Sequence, residues 1–340
     1  MIKVYIIDDS MLIRNFVHKL LKNNKTIIII GESSNPIEAM KDFTKTGLPD
    51  VFILDIEMPK MDGITFLKKL KSEKPIPTII FSSLVNEGSS QAMEALHYGA
   101  CDVIKKPQNL SEGLSSDFIE DFISKVKAAA HSKYINDLDY KTKGKINRLK
   151  ESKKVIGIGA STGGVQTIES IIYNLHPSHP PIVITQHMPA GFTYSFANRL
   201  NKTCKNSTIK EAQEGDILQS GFIYIAPGDL HLEVNINEDN QYICSLKNYP
   251  KVSSHKPSVD VLFKSMSKMV KSNTIAFLLT GMGRDGAQGL KLIKDVGGVT
   301  YAQDEESSIV YGMPKVAFDQ GYVQKQVNIS DVVTLINEME

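Results

Sequence analysis

Cysteine is scarce in this sequence of 340 residues, and the three that occur are far apart: Cys101, Cys204 and Cys244. An odd number of scattered cysteines excludes a disulfide framework and a CxxC metal-binding pattern. We therefore expect the three thiols to be small apolar side chains in the interior of the protein.

Long apolar runs are also missing. The longest, such as Ile27–Ile30 and the stretch around Phe277–Leu279, are far shorter than the ~20 residues that span a bilayer. The N-terminal segment Met1–Asp9 leads into acidic residues and lacks the cleavage site of a signal peptide. These features predict a cytoplasmic protein with no direct membrane insertion.

The chain has almost no net charge. Its 39 basic and 38 acidic residues give +1, which excludes polybasic nucleic-acid binders and acidic disordered tails. We therefore expect no nucleic-acid partner. With 41% apolar and 23% charged residues the composition is that of a globular protein, and the length favours two domains.

The charge is unevenly distributed along the chain. Residues 1–130 carry 16 basic and 17 acidic residues, residues 131–154 carry 8 and 3, and residues 155–340 carry 15 and 18; the net charges −1, +5 and −3 sum to +1. The basic middle, poor in large apolar residues, predicts a solvated linker over 131–152 between domains at 1–130 and 153–340. A basic docking segment is the alternative.

The first domain alternates short apolar, β-branched stretches with amphipathic ones. The predicted strands are Lys3–Ile7, Thr26–Ile30, Val51–Leu54, Pro77–Phe81 and Asp102–Ile104. The predicted helices are Met11–Lys22, Pro36–Thr46, Ile64–Lys71, Gly88–His97 and Ser115–Ala130. This alternation favours an α/β fold with a doubly wound parallel sheet, whose functional crevice lies at the carboxyl ends of the strands.

Acidic residues follow two of these strands. Asp8 and Asp9 follow the first and Asp55 follows the third, so their charges would repel unless a cation joined them. Oxygen ligands suit Mg²⁺, and a carboxylate beside it can form an aspartyl phosphate. Ser82 and Lys106, at the next two strand ends, offer a hydroxyl and an ammonium group to phosphoryl oxygens. Taken singly, each aspartate could instead be a helix N-cap.

These residues resemble the receiver domain of two-component response regulators over about residues 1–125. The shared motifs are Asp8-Asp9-Ser10, Asp55 to Gly63, Ser82 and Lys106-Pro107. The resemblance implies a flavodoxin-type fold in which Asp55 takes a phosphoryl group from a histidine kinase. It further implies that Asp8, Asp9, Asp55 and the carbonyl of Glu57 hold Mg²⁺, and that Ser82 and Lys106 are the switch residues.

The second domain opens with a strand, a glycine-rich turn and a helix. Gly159-Ala160-Ser161-Thr162-Gly163 fits the GxSxG turn that presents a nucleophilic serine. A nicotinamide-binding oxidoreductase is the alternative, since Gly157 begins a near match to GxGxxG. However, the third glycine falls one place late, and the next strand ends without the acidic residue that holds a ribose.

Two further residues suit a nucleophile's partners. His187 ends the next predicted strand, and Asp285 follows a buried strand near Ile275–Thr280. Each alone could be structural, His187 as a satisfied core histidine and Asp285 as an N-cap. Together with Ser161 they meet the requirement for nucleophile, base and orienting carboxylate. The chain order Ser…His…Asp differs from that of the α/β-hydrolases.

Residues 153–340 resemble the catalytic domain of the chemotaxis protein-glutamate methylesterases, the CheB family. The motifs that carry the resemblance are Gly159 to Gly164, Ile184 to Pro189, Tyr224 to Asp229, His255 to Asp260, Leu279 to Gly286 and Gly312-Met313-Pro314. A receiver in front of this domain is the arrangement of the family. The resemblance implies a second doubly wound, Rossmann-like parallel sheet with a small antiparallel β insertion.

The resemblance also implies the chemistry. Ser161, His187 and Asp285 would hydrolyse methylated glutamate side chains of chemoreceptors and deamidate glutamines, giving chemotactic adaptation. Backbone N–H groups of Thr162 and Met282 would stabilise the oxyanion, and the catalytic domain would need no metal or cofactor.

The tandem arrangement suggests regulation: an unphosphorylated receiver would block the Ser161 cleft, and phosphorylation of Asp55 would release it. A phosphorylation-controlled binding module without catalysis is the alternative from another class. A DNA-binding output is disfavoured, because residues 155–340 are net acidic and lack a helix-turn-helix signature.

Overall fold

The computed structural model describes residues 1–83, 88–110, 114–132 and 153–339. The chain divides into two compact units, Met1–Tyr134 and Ile135–Glu340, each with its own parallel sheet. The predicted basic linker falls outside the described residues except for positions 131 and 132. No helix within the described ranges is both long and apolar enough to cross a membrane.

The first unit alternates strands and helices as the sequence predicts. Its strands are β1 (Ile2–Ile7), β2 (Ile27–Ser33), β3 (Val51–Leu54), β4 (Thr78–Ser82) and β5 (Asp102–Lys105). Its helices are α1 (Met11–Leu21), α2 (Pro36–Thr46), α3 (Gly63–Glu73), α4 (Gly88–His97) and α5 (Ser116–Ala130). The observed ends differ from the predicted ones by three residues at most.

Local sequence signals explain where α2 and α3 begin. The Asn35 side chain accepts a hydrogen bond from the N–H of Glu38, and Pro36 occupies the first turn of α2. The Asp62 side chain caps α3 in the same way by accepting from the N–H of Thr65. Such caps fix the turns that join the strand ends to the helices.

The sheet of the first unit has the strand order β2-β1-β3-β4-β5, and all its pairs are parallel. This is the flavodoxin-type order, whose crevice lies at the carboxyl ends of β1 and β3. Every residue of β3 and β4 is buried because helices cover both faces of the sheet.

The second unit contains a larger sheet. Its strands are β6 (Val155–Ala160), β7 (Ile182–Gln186), β8 (Thr208–Glu211), β9 (Phe222–Ile225), β10 (His231–Ile236), β11 (Tyr242–Lys247), β12 (Thr274–Leu278), β13 (Val299–Gln303) and β14 (Lys325–Val327). Its helices are α6 (Gly164–Ile172), α7 (Phe192–Thr203), α8 (Val259–Met269), α9 (Ala287–Asp295), α10 (Met313–Asp319) and α11 (Ile329–Asn337), with a 3₁₀ turn at Lys271–Asn273.

Seven of these strands form a parallel sheet in the order β14-β13-β12-β6-β7-β9-β8. Strands β10 and β11 pair separately as an antiparallel hairpin. The predicted fold class, two parallel α/β sheets with a small antiparallel insertion, is therefore confirmed. All three cysteines are buried and unpaired, in agreement with their predicted role as apolar filling.

Candidate functional site

The carboxyl edge of the first sheet brings together the predicted acidic residues. Ile7 of β1 pairs with Leu54 of β3, so Asp8 and Asp55 lie side by side just past the ends of their strands. One carboxylate oxygen from each of Asp8, Asp9 and Asp55 lies within 4.8 Å of the other two. Three carboxylates that close form a donor set of the kind that Mg²⁺ prefers.

Lys106 joins two of these carboxylates. It follows β5, and its Nζ lies 2.7 Å from Asp8 Oδ2 and 2.6 Å from Asp55 Oδ2. Asp8, Asp55 and Lys106 are all buried, as is Ser82 at the end of β4. Ser82 pairs with Lys105, so the hydroxyl-bearing residue and Lys106 belong to the same edge as the aspartates.

Burial makes negative charge costly at this edge. It raises the pKa of Asp8 to about 6, against the opposing attraction of Lys106 and with a further rise from Asp55. It also raises the pKa of Asp55, again opposed by Lys106. One ammonium group therefore compensates the buried carboxylates incompletely, and a divalent cation bound there would lower the remaining cost.

An open cavity of about 410 Å³ adjoins this edge. Its lining includes Asp9, Glu57, Asp62 and Gln91 together with Ile56, the residue that follows Asp55. The cavity gives a small charged group access to the acidic edge. The role of the Glu57 carbonyl as a metal ligand stays a prediction.

The carboxyl edge of the second sheet holds the predicted nucleophile and base. Ala160 of β6 pairs with Gln186 of β7, so Ser161 and His187 directly follow paired residues on adjacent strands. Asp285 lies in the loop after β12, which borders β6 on its other side. Ser161 is 7% exposed and His187 8%, which places both at a nearly closed part of this edge.

His187 contacts Asp285 directly. The distance from His187 Nε2 to Asp285 Oδ2 is 2.8 Å, and both side chains are buried. A carboxylate only accepts, so Nε2 carries the proton in this bond. His187 Nδ1 is buried and has no hydrogen-bond partner among the described residues, which leaves it as the nitrogen with a free lone pair in the neutral ring.

Asp285 is strongly held in its ionised form. Burial favours its neutral state, but hydrogen bonds from His187 and from the N–H groups of Val259 and Asp260 outweigh it and lower the pKa of Asp285 to about 2. Burial and the charge of Asp285 instead raise the pKa of the adjacent Asp260 to about 6. Asp285 is thus the stronger acid of the two carboxylates.

The turn around Ser161 depends on close backbone packing. Gly163 has φ = 79°, a conformation that favours glycine, and α6 begins at the next residue. A Cβ on Gly281 would lie 2.6 Å from the Cβ of Ser161, so the loop that carries Met282 can approach the serine only because residue 281 is glycine. The expected oxyanion donors are the N–H groups of Thr162 and Met282, the residues that directly follow Ser161 and Gly281.

Several residues that hold the site were not predicted. Gln186 Nε2 donates to the carbonyl oxygens of Ser161 (2.9 Å) and His187 (3.1 Å). Thr280 Oγ1 lies 3.0 Å from the Thr162 carbonyl oxygen. Ser258 Oγ donates to Asp285 Oδ1, and the His255 ring stacks on the His187 ring. Gln186 and Thr280 end or follow buried strands, whereas His255 and Ser258 belong to the His255–Asp260 motif, whose presence gave no role to either residue.

Comparison with known proteins identifies both units. The CheB methylesterase family model matches residues 156–336, and the response regulator receiver domain model matches residues 4–116. A relative from Leptospira interrogans, protein-glutamate methylesterase/protein-glutamine glutaminase 3, is 44% identical over 98% of both chains. The protein-glutamate methylesterase/protein-glutamine glutaminase of Escherichia coli K12 is 41% identical over 97% of this chain and 95% of its own.

A solved structure agrees with the family model. The CheB methylesterase catalytic domain of Thermotoga maritima is 39% identical with a TM-score of 0.53, and the match covers 54% of this chain and 97% of that one. These matches confirm the predicted methylesterase domain with a receiver and favour a hydrolase over the nicotinamide-binding alternative. The chain belongs to the CheB methylesterase family.

Proposed function

We propose that this protein is a phosphorylation-activated hydrolase of the cytoplasm that demethylates glutamate methyl esters, and deamidates glutamines, on chemoreceptors. This activity would serve chemotactic adaptation. The substrate class is that named for the relatives, protein glutamate esters and protein glutamine amides. Both reactions are attack on an acyl carbon bearing a small leaving group, methanol or ammonia.

One observation carries the catalytic part of the proposal: His187 offers an unpartnered Nδ1 at the strand end next to Ser161, while its Nε2–H is bound to Asp285. A general base must have its lone pair free and its other nitrogen oriented. His187 meets both conditions, with Nδ1 as the basic atom.

The reaction then follows from these roles. Ser161 Oγ attacks the ester carbonyl and transfers its proton to His187 Nδ1. Asp285 keeps the ring oriented and stabilises the imidazolium. The imidazolium returns the proton to the leaving methoxide as methanol departs, or to the amine in deamidation. Water, activated by the same nitrogen, hydrolyses the acyl-serine and regenerates the Ser161 hydroxyl.

The developing oxyanion would be stabilised by the N–H groups of Thr162 and Met282. Both belong to backbone packed around Ser161, and Thr162 precedes the N-terminus of α6, where N–H groups point towards incoming negative charge. One such donor contributes about 3–4 kcal/mol to the transition state in related chemistry. The chemistry assigned to this site uses the chain's own side chains and backbone groups.

Control would come from the first unit. Asp55 would accept a phosphoryl group from a histidine kinase, and Ser82 and Lys106 would contact the new phosphoryl oxygens. Asp8, Asp9 and Asp55, with the Glu57 carbonyl, would hold Mg²⁺, which when bound would offset the charge of the carboxylates and the phosphoryl group. The support is the receiver match and the three carboxylates within 4.8 Å.

The decisive experiment measures methanol release from methylated chemoreceptor in the presence of a small phosphodonor and Mg²⁺. Ser161→Ala should abolish release, because it removes the hydroxyl that is proposed to attack the ester. Asp55→Ala should keep basal release but lose its stimulation by the phosphodonor. Asp50→Ala, which removes the aspartate just before β3 at the opposite end of that strand from Asp55, is the matched control and should behave as wild type.

Two results would refute the proposal. Methanol release that survives Ser161→Ala would remove the nucleophile, and with it the hydrolytic mechanism. Stimulation that survives Asp55→Ala would assign control to another residue.

A further inference from the structure

One short segment contacts both partners of the proposed nucleophile. Residues 255–260 run into the N-terminus of α8, and their first and last members touch different groups of the site. The His255 ring stacks on the His187 ring, with centroids 3.7 Å apart and planes inclined by 16°. Ser258, Val259 and Asp260 contact Asp285.

The carboxylate of Asp285 accepts four hydrogen bonds, and three of them come from this segment. Oδ1 accepts from Ser258 Oγ (2.8 Å) and the N–H of Asp260 (3.0 Å). Oδ2 accepts from the N–H of Val259 (2.7 Å) and from His187 Nε2 (2.8 Å). Because each oxygen accepts two bonds, the carboxylate cannot rotate away from the histidine without losing several of them.

Ser258 would ordinarily be explained as the N-cap of α8. Its side chain makes no capping hydrogen bond to the helix, although it occupies the N-cap position. The N–H groups of the first turn are instead capped by Asp285, a residue from another part of the chain. The serine hydroxyl is therefore available for a different task, and it is directed at Asp285.

The backbone N–H of Ser258 is held by a hydrogen bond to His231. Its N–H donates to His231 Nδ1 (3.2 Å), and His231 Nε2 lies 3.0 Å from the carbonyl oxygen of Pro250. The backbone N–H can only donate and the carbonyl can only accept, so His231 is held as the neutral tautomer protonated at Nε2. Ser258 and His231 are both fully buried, which keeps water from replacing these bonds.

We propose that Ser258 is a positioning residue of the active site: its hydroxyl holds Asp285 in the orientation that keeps the proton of His187 on Nε2 and leaves Nδ1 as the base. The proposal rests on the Ser161–His187–Asp285 mechanism for its effect on rate. The state of the His187 ring, however, can be observed without any turnover. Ser258 acts through Asp285 and is assigned no contact with substrate.

The test compares Ser258→Ala with Ser267→Ala in the full-length protein. Ser267 is a buried serine of the same helix whose hydroxyl donates only to the carbonyl of Lys264, so it controls for loss of a helical serine. We expect Ser258→Ala to lower kcat about tenfold with KM unchanged. In ¹⁵N-histidine spectra, we expect a second His187 tautomer protonated at Nδ1 to appear. Ser267→Ala should change neither quantity.

Ser258→Gly provides a second variant, because glycine is well tolerated at N-caps and also lacks the hydroxyl. A kcat and a His187 spectrum equal to those of wild type in both Ser258 variants would overturn the proposal. The proposed function fails separately, through activity that survives Ser161→Ala, and that result would leave the His187 tautomer as the readout for Ser258.

Discussion

At the scale of single residues, Asp285 shows how a buried charge is maintained. Burial would raise its pKa, but hydrogen bonds from His187, Val259 and Asp260 lower it to about 2, below the usual 3.8. Since the folded state has the lower pKa, ionised Asp285 adds to the free energy of unfolding above about pH 4, and that contribution is lost as the pH falls towards 2. Asp285 therefore stays charged wherever a histidine base could work.

We expect Asp285→Asn to damage both stability and rate. An amide has one acceptor oxygen, so its NH₂ group must face a fixed backbone donor, either Val259 N–H or Asp260 N–H. The free energy of unfolding should fall by about 2–4 kcal/mol, and kcat should fall by about 10³-fold or more. Denaturant unfolding and methanol release measure the two effects.

Asp295→Asn is the matched control for that substitution. Asp295 is half exposed and pairs with Lys291 one helical turn away, an interaction of little value at the surface. Its loss should change the unfolding free energy by under about 0.5 kcal/mol. An Asp285→Asn protein as stable and as active as this control would show that the four hydrogen bonds to Asp285 are not needed for stability or rate.

At the scale of elements, the turns after β6 and β12 determine the geometry of the serine. The backbone of Ser161 donates its N–H to the carbonyl of Thr280 (3.0 Å), and the N–H of Gly281 donates to the carbonyl of Val310 (3.0 Å). These bonds fix the loop that carries Met282 against the serine. The absence of a side chain at residue 281 is what permits that approach.

Gly281→Ala should therefore reduce activity more than the small size of the added methyl group suggests. The new methyl would lie 2.6 Å from Ser161 Cβ and equally close to Met313 Sδ, so the serine and the Met282 loop must separate. We expect kcat for methanol release to fall at least about tenfold, since displacements well under 1 Å weaken oxyanion binding.

Gly283→Ala separates steric contact from backbone strain in the same loop. Gly283 has φ = 92°, and no atom lies within 4 Å of the position that an alanine methyl would take, so its substitution adds strain but no clash. A loss of activity as large in Gly283→Ala as in Gly281→Ala would show that strain in the loop, and not contact with Ser161, determines the rate.

Element-level reasoning from sequence was accurate where a pattern is local. Buried, β-branched runs such as Val51–Leu54 predict strands, and the rule that crevices lie at strand ends groups Asp8 with Asp55. The role of Ser258 could not be predicted, because its partner Asp285 lies 27 residues away in the chain. The order of the seven strands likewise depends on long-range packing that no short motif encodes.

At the scale of the whole molecule, each of the two parallel sheets carries polar site residues at its own carboxyl edge. The pKa of a buried aspartate is shifted in opposite directions at the two edges. In the second unit, donors surround Asp285 and lower its pKa. In the first, burial raises the pKa of Asp8 to about 6, and Lys106 offsets this only in part. Ionisation of the buried Asp8 carboxyl group therefore lowers the stability of the first unit at neutral pH.

Asp8→Asn should accordingly stabilise the first unit while weakening its metal binding. Because the folded-state pKa of Asp8 is above the unfolded value, its ionisation lowers stability as pH rises from about 4 through 6. Without divalent cations at pH 7.5 the unfolding free energy should rise by about 1–3 kcal/mol, with a smaller gain at pH 5. Hydrogen exchange in β1 and β3 measures it locally.

Asp9→Asn is the control for this prediction, because Asp9 is exposed at the same edge. It should weaken metal binding with little gain in stability. Equal stabilisation by both substitutions, or none by Asp8→Asn, would contradict the conclusion that burial makes ionised Asp8 destabilising.

The strand-end placement of Ser161, His187 and Asp285 also has a consequence for how the protein acquires activity. The contact between His187 and Asp285 closes a chain separation of 98 residues, across strands β12, β6 and β7. Contacts between residues so far apart in the sequence form slowly, after the local helices and turns. Regain of esterase activity during refolding would therefore report completion of the central sheet, and a newly synthesised chain would be inactive until its C-terminal strands had joined.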